Sequence, residues 1–409
     1  MKKSVIGFTA IIFLLESVVC IASSDITYRV NVEKENPTIA KVSADVLTLG
    51  NFVIEPPQAS NLSTSHTKLN VICQAGKGKN ISIQFGVPIQ CKSIHWNIKF
   101  KKLSHTNFEA SSLQNIYSPI GWWVLHEQDS LPRISGNHSI YVCVTKNNCN
   151  KLPENISGNS GPPVFMVWGK KTGVIKIHNF KINIFSDKEL LYSKIPSIKE
   201  ELEKQYSYLS AVFLSDKQQI TWSLVWIAID QKYNHLSGAA GANAYITNYL
   251  VDNGRLTDRT LPWLLRVSAH ETVHVLSKYT LPTWINESLA EYYAFKTLTL
   301  SNIETRDPIQ EWLKRKSAIS HASSGLYHAN RMVSEQHDMS FYPLFYLKGA
   351  ALWQELDIAL NEEGKNLDQY IRLLNKDDSH DPTINQSFIQ SMVRELGSGL
   401  WESISSKYL

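Results

Sequence analysis

Hydrophobic and polar residues alternate along much of the chain between residues 25 and 186. The run 94–100 places Ile, Trp, Ile and Phe at every second position, and the runs 81–85 and 180–184 repeat that spacing. Turn-forming stretches, such as Ala-Gly-Lys-Gly at 75–78, separate these runs. A period of two with turn punctuation is typical of strands that bury one face. The pattern predicts an antiparallel, sandwich-like β domain over residues 25–186.

The spacing of apolar residues becomes helical after about residue 187. Two apolar stretches, 222–229 and 244–250, are short and rich in β-branched and aromatic residues, which indicates a small sheet at about 220–250. A helix is predicted at 198–213, before these two stretches. Residues 259–409 are predicted to be mostly helical, with helices at 261–278, 283–299, 308–319, 342–361, 366–375 and 384–396. The expected fold class is α+β, in which the β domain precedes a mostly helical domain over residues 187–409.

Residues 1–24 have the layout of a secretory signal. Lys2 and Lys3 provide a basic start, an apolar run follows at 5–15, and small residues occupy 22–24. No later stretch reaches about 18 consecutive apolar residues, so no membrane span is expected in the mature chain. We therefore expect an exported protein, periplasmic or secreted, with a signal of bacterial type.

Composition and cysteine usage narrow the class of protein further. The chain of 409 residues is 43% hydrophobic, which is typical of globular domains, and its net charge of +4 indicates no nucleic-acid partner. The mature chain keeps four cysteines, and an even number in an exported protein favours two disulfides over free buried thiols. Three pairings are possible. Short local loops favour Cys73–Cys91 and Cys143–Cys149.

The sequence His270-Glu271-Thr272-Val273-His274 is the strongest chemical signal. On a helix, residues i and i+4 share one face, so both imidazoles can hold one zinc ion. Glu271 lies beside them and can reach a water on the ion without ligating it. The flanking residues are apolar, which predicts a buried helix in which unpartnered His and Glu would be costly. A bare motif of this kind also occurs by chance as an exposed pair of histidines.

A second motif follows the first at hairpin distance. Pro282 starts the next predicted helix, and a tight turn would return Glu287 toward the two histidines. Two imidazoles and one carboxylate leave a fourth position for water, as in catalytic zinc sites. Glu291 lies one turn beyond Glu287, where it can accept a ring N–H from a ligating histidine. A solvated helix carboxylate is the alternative for Glu291.

A third motif, Tyr346-Leu347-Lys348-Gly349-Ala350, lies in an apolar predicted helix. A hydroxyl near the metal can donate to the oxyanion of a tetrahedral intermediate. A lone tyrosine in a helix more often packs in the core, so the assignment of Tyr346 depends on its combination with the other two motifs.

The three motifs, in this order, resemble those of the gluzincin zinc metallopeptidases, most of all the alanyl and leucyl aminopeptidases and their smaller relatives. The resemblance covers about residues 190–365 and implies a zincin-type catalytic domain, one Zn²⁺ ion and peptide or protein substrates. Carried over residue by residue, it implies zinc ligands at His270, His274 and Glu287, a general base at Glu271 and transition-state stabilisation by Tyr346.

This chain departs from the family pattern in three places. The segment between His274 and Glu287 is shorter than in the large aminopeptidases, and Ser288 replaces their usual Gly. Their G-x-M-E-N strand, whose Glu binds the substrate's amino group, has its best local match at Gly241, Ala242, Asn243, Ala244 and Tyr245, with Ala244 at the Glu position. That segment is expected to be an edge strand that pairs with extended substrate. Without the amine-binding Glu, aminopeptidase and endopeptidase activity both remain open.

The alternative from another functional class is a zinc-stabilised binding protein that lacks catalysis and recognises its ligand through the β domain. The basic stretch 314–316 is interpreted as a solvated helix face. The polar, histidine-containing stretch between the helices predicted at 308–319 and 342–361 is interpreted as a solvated loop.

Overall fold

The computed structural model describes residues 25–409 except for 34, 59–68, 104–113, 137, 154–162, 178–179, 189–190, 192–193, 215–218, 234–235, 278, 302, 304–306 and 379. The predicted signal at 1–24 lies outside the described residues. The α+β fold class is confirmed: sheets make up the N-terminal part and helices dominate the C-terminal part.

The N-terminal part consists of short strands that alternate buried and exposed positions, as a period of two requires. The strands are β1 Ile26–Val32, β2 Ile39–Asp45, β3 Asn51–Phe52, β4 Ile54–Glu55, β5 Ile72–Gln74, β6 Asn80–Ser82, β7 Ile89–Gln90, β8 Ser93–Lys99, β9 Lys101–Lys102, β10 Ile116–Ser118, β11 Trp122–His126, β12 Arg133–Ile134, β13 Ile140–Thr145, β14 Asn148–Lys151 and β15 Phe165–Gly169. One short helix, α1 Glu127–Ser130, follows β11.

Two larger sheets organise these strands. One has the order β14-β13-β1-β2-β8-β5-β6 and the other β15-β11-β10-β9. Most pairs are antiparallel as predicted, but β1 pairs with β13, and β10 with β9, in parallel. A buried aromatic contact lies in the core of this part, where the rings of Tyr28 and Trp96 meet edge to face at 5.0 Å.

A third sheet crosses the predicted domain boundary at residue 186. Its order is β16-β17-β18-β20-β19, with β21 on β20. The bounds are β16 Gly173–Ile177, β17 Phe180–Ser186, β18 Ile220–Asp230, β19 Gly238–Ala240, β20 Ala244–Asp252 and β21 Arg255–Leu256. The domain limits remain a prediction, but β17 pairs in parallel with β18 along its whole length.

The helices after this sheet mostly follow the predicted ones. They are α2 Ile195–Phe213, α3 Thr260–Leu276, α4 Thr283–Leu300, α5 Pro308–Arg315, α6 Leu326–Gln336, α7 Ala350–Glu362, α8 Gln386–Leu396 and α9 Ser398–Tyr408. A π-helix, Phe345–Gly349, precedes α7. The helix predicted at 366–375 is instead two short 3₁₀ segments, Leu367–Gln369 and Ile371–Leu374.

The third sheet is the middle layer of the fold. On one face, α2 and α3 pack against its strands in the largest apolar core. On the other face, Phe185, Val225 and Ile246 contact Trp122 and Phe165 of the β15-β11-β10-β9 sheet. Because this sheet is covered on both faces, β20 and the second half of β18 are buried at successive positions instead of alternating between buried and exposed. The metal-motif helix α3 therefore lies on a rigid support.

Both predicted disulfides, Cys73–Cys91 and Cys143–Cys149, are present. In the part of the chain that the structure describes, every helix is too short or too polar to cross a bilayer.

His126 makes stability depend on pH in the N-terminal part. Its side chain is 1% exposed, and neither ring nitrogen has a hydrogen-bond partner among the described residues. Burial lowers the pKa of His126 from 6.5 to about 4, so the unfolded chain binds this proton more readily. The stabilising contribution is present above pH 6.5 and is lost as the pH falls toward 4.

We expect wild-type protein to lose about 2 kcal/mol more unfolding free energy than His126→Phe between pH 7 and pH 5. Urea unfolding at both pH values measures this difference, with the exposed His380→Gln variant as a control for the loss of a histidine. Equal pH dependence in wild type and His126→Phe would contradict the assignment.

Candidate metal centre

Helix α3 is fixed to its neighbours by hydrogen bonds as well as by apolar packing. Trp263 donates its indole N–H to the carbonyl of Asn248 in β20 at 2.8 Å. Gln205 of α2 donates to the carbonyl of Leu265 at 3.2 Å. These bonds hold the helix at a set height on the sheet, so its histidine face points away from the sheet toward α4.

The structure brings His270, His274 and Glu287 together. The two Nε2 atoms lie 3.1 Å apart. The Oε2 atom of Glu287 is 3.5 Å from Nε2 of His270 and 3.7 Å from Nε2 of His274. One ligand atom from each of the three side chains falls within 4.8 Å of the others, so one small cation can contact all three.

The turn between α3 and α4 is held in place from outside. The backbone N–H of Thr280 donates to the side chain of Asn375 at 2.8 Å, and Lys376 donates its N–H to the carbonyl of Thr280 at 3.1 Å. Helix α4 then begins at Thr283, directly after Pro282. This short connection is what returns Glu287 to the histidines.

Outer partners orient both imidazoles. Nδ1 of His270 lies 3.2 Å from Oε2 of Glu291, and Nδ1 of His274 lies 3.3 Å from Oδ1 of Asn286. Glu291 also forms an ion pair with Arg266. When Nδ1 donates outward, Nε2 is left as the atom that can bind a metal. Sequence reasoning proposed Glu291 for this role but gave none to Arg266 or to Asn286. Asn286 lies in the second motif, directly before Glu287, whereas Arg266 lies outside the motifs.

The charges of the centre favour a bound cation. Burial opposes ionisation of Glu287, but the two imidazoles outweigh it and hold the pKa of that carboxyl well below its usual value. Burial opposes charging of the rings too, yet Glu287 and its neighbouring carboxylates raise the pKa of His270 and His274. A site that attracts protons in this way also attracts a divalent cation. Two nitrogen donors and one oxygen donor match the ligands that zinc takes in catalytic sites.

Glu271 lies beside the ring pair and lines a cleft of about 550 Å³. Glu271 is buried, with 8% of its surface exposed. Burial raises the pKa of Glu271, and Glu287 and Glu291 raise it further against the opposing effect of the two histidines. A carboxylate with a raised pKa is suited to take up and release a proton near neutral pH.

Tyr346 enters the same cleft from the π-helix Phe345–Gly349. Its ring centroid lies 5.7 Å from that of His270 and 5.5 Å from that of Tyr342. Burial, followed by the charge of Glu287, raises the pKa of Tyr346, so its phenol stays protonated and able to donate. Tyr342 also lines the cleft, and sequence reasoning did not identify it.

Ser288 and Gly349 set the distance between α4 and the π-helix. A Cβ atom on Gly349 would lie 2.4 Å from Cβ of Ser288, so only glycine fits at this crossing. Ser288 is fully buried, and its hydroxyl accepts a hydrogen bond from the indole of Trp353 at 2.7 Å. The side chain of Ser288 is therefore accommodated by the glycine on the facing helix.

The predicted substrate edge strand is wrong in position. Residues 241–243 form the turn between β19 and β20, where the N–H of Ala242 donates to the carbonyl of Pro163 at 2.8 Å and Asn243 accepts from the N–H of Phe165 at 3.1 Å. Ala244 and Tyr245 are buried in β20, which is paired on both sides. The strand at this end of the described sheet is β19, and its Gly238 lines the cleft.

Comparisons with known proteins support the fold. No family model and no curated protein matches the sequence. The crystal structure of an aminopeptidase N family protein from Idiomarina loihiensis aligns with a TM-score of 0.59, covers 94% of this chain and 76% of that chain, and is 14% identical. A two-domain M1 zinc metallopeptidase, a mutant bound to L-tryptophan, covers 93% of each chain at 10% identity and a TM-score of 0.45. The first likeness shows that the two chains share a fold.

The Ser288–Gly349 contact generates a prediction about the site. Gly349→Ala inserts a methyl group against α4, so we expect a loss of about 1–3 kcal/mol of unfolding free energy from overpacking. In the double variant Ser288→Gly/Gly349→Ala, the opposing Cβ is gone and part of that loss is recovered. Denaturant unfolding of the wild type, both single variants and the double variant measures the coupling. Strictly additive effects would show that the two positions do not touch.

Proposed function

We propose that this protein is an exported zinc-dependent peptidase that hydrolyses peptide bonds. The observation that carries the proposal is the convergence of His270, His274 and Glu287 on one point, with Glu271 beside it in the cleft. The likeness of fold to an aminopeptidase N family protein is consistent with peptidase ancestry. The two disulfides are compatible with export through the predicted signal.

His270, His274 and Glu287 would hold the ion, and Glu291 would fix the ring of His270. When bound, zinc supplies a Lewis acid that polarises a carbonyl and lowers the pKa of water to about 7. Glu271 accepts the proton of the attacking water and then passes it to the leaving amide nitrogen. The raised pKa of Glu271 suits both transfers.

Tyr346 acts on the oxygen of the scissile carbonyl. Its phenol stays protonated in the buried site and donates a hydrogen bond as negative charge develops on that oxygen. Tyr342, 5.5 Å away between ring centroids, packs against this ring and helps to fix its direction.

Glu271→Gln tests the general base. Glutamine has nearly the same shape but cannot accept the proton, so we expect the variant to retain stoichiometric zinc and to lose turnover by a factor of at least about 100. Elemental analysis and hydrolysis of a quenched peptide panel measure the two effects. The exposed Glu200→Gln variant is the matched control and should cleave like wild type.

Either of two results would reject this proposal. One is wild-type turnover in Glu271→Gln. The other is wild-type protein that cleaves no peptide but binds a ligand through residues 25–186, which would favour the zinc-stabilised binding protein instead.

Tyr346→Phe tests the oxyanion donor. Loss of one such donor lowers kcat about 100-fold or more, while KM changes little because the hydrogen bond strengthens in the transition state. Tyr342→Phe is the neighbouring control and should reduce kcat less. A rise in KM with unchanged kcat would instead assign Tyr346 to substrate positioning.

A further inference from the structure

The described lining of the cleft holds two carboxylates, those of Glu271 and Glu291. Glu291 is shared between Arg266 and the ring of His270, so its oxygens are engaged. Glu271 is buried beside the ring pair and is the proposed general base. Among the described lining residues, no further carboxylate remains to bind a substrate ammonium group.

The edge strand does not supply the missing carboxylate. Residues 236–249, which include β19 and the whole turn into β20, contain no Asp or Glu. Gly238 and Ser237 line the cleft and offer only backbone and hydroxyl groups to a substrate. Along this strand, a free N-terminal amine therefore meets no charge of opposite sign.

Arg315 lines the same cleft, and among the described residues its positive charge is unpaired. It is exposed, and its guanidinium forms no ion pair or hydrogen bond within the described part of the chain, although Glu311 lies one turn earlier. Arg266, the other arginine of the cleft, is neutralised by Glu291. The sequence-based interpretation of 314–316 as a solvated helix face is therefore incomplete, since Arg315 faces the cleft.

Helix α5 holds Arg315 in a fixed place at the rim. Asp307 caps the helix by accepting from the N–H groups of Ile309 at 2.8 Å and Gln310 at 3.2 Å. Trp312 is buried, and the ammonium of Lys348 lies 5.9 Å from its ring centroid. A capped, anchored helix presents the guanidinium with little freedom in its backbone.

The guanidinium of Arg315 has the geometry that a carboxylate needs. Trp263, Met339 and Leu347 are among the apolar residues that line the rest of the cleft. The planar guanidinium offers two parallel N–H groups, which match the two oxygens of a carboxylate.

We propose that the cleft selects peptides through a substrate carboxylate that pairs with Arg315, and that it requires no free N-terminal amine. This inference rests on the proposed peptidase function. The carboxylate belongs either to an Asp or Glu side chain or to the C-terminus of a short peptide, because both present the same group to the guanidinium.

Matched peptides separate these two sources. In the first pair, both peptides are amidated at the C-terminus and one carries Asp where the other carries Asn. In the second pair, all side chains are neutral and one peptide ends in a carboxylic acid, the other in an amide. In at least one pair, we expect wild-type kcat/KM to be about fivefold higher for the peptide with the carboxylate. A factor of about five corresponds to the upper end of the free energy that an exposed ion pair contributes. Acetylation of the N-terminus should change kcat/KM by less than about twofold in either pair.

Variants assign the preference to one residue. Arg315→Gln should bring the acid-to-amide ratio to about 1, and Arg315→Lys should keep part of it because the charge remains. Lys314→Gln removes a neighbouring exposed charge outside the cleft lining and should keep the full ratio. An unchanged ratio in Arg315→Gln, or an equal loss of kcat/KM for acid and amide, would overturn the proposal. If the enzyme cleaved only peptides with a free N-terminal amine, the proposal that no such amine is required would be overturned.

Binding measurements keep this inference separate from the proposed function. Kd values for the same peptides on zinc-loaded Glu271→Gln protein do not depend on turnover. Tighter binding of the acid, lost in Glu271→Gln/Arg315→Gln, supports the role of Arg315 even if the wild type hydrolyses nothing. Equal Kd values for acid and amide would overturn it even if the wild type is an active peptidase.

Discussion

Compensation among buried charges is the constraint on which the rest of the structure depends. His270, His274, Glu271, Glu287 and Glu291 all lie on two adjacent helices, and three of them are less than one-tenth exposed. Each would be costly to bury alone. Their cost falls when α3 and α4 pack in the register in which rings and carboxylates face each other. The chemistry of the site and the packing of the helices are therefore a single requirement.

The short turn returns α4 along α3, and packing then fixes the register of the two helices. Helix α4 has buried residues around most of its circumference and contacts α3, α7 and the π-helix. The rings of Trp284 and Trp353 stack at 5.8 Å, and Ser288 meets Gly349 at the crossing. Glu287 and Glu291 therefore project from a helix that cannot easily rotate or slide. A rigid element of this kind can hold ligands close to a productive geometry without the ion.

The parts of the site that were predictable depend on local periodicity. The i,i+4 spacing of His270 and His274 needs only a helix, and the return of Glu287 needs only a short turn. The two disulfides were predictable for a similar reason, because each closes a short local loop. The edge strand was misplaced because its register depends on Pro163 and Phe165, about 80 residues earlier in the chain. Helix α6 was missed because its exposed face is polar enough to resemble a loop.

Arg266 and Arg315 show why residue type alone does not determine a role. Both line one cleft, yet Arg266 lies against Glu291 and Arg315 lies against solvent. A divalent cation at the ring pair would balance Glu271 and Glu287, and Arg266 already balances Glu291. The deep end of the cleft would then be close to neutral, which leaves the guanidinium of Arg315 as the uncompensated charge of the described lining. The proposed pairing of Arg315 with a substrate carboxylate follows from this difference between the two arginines.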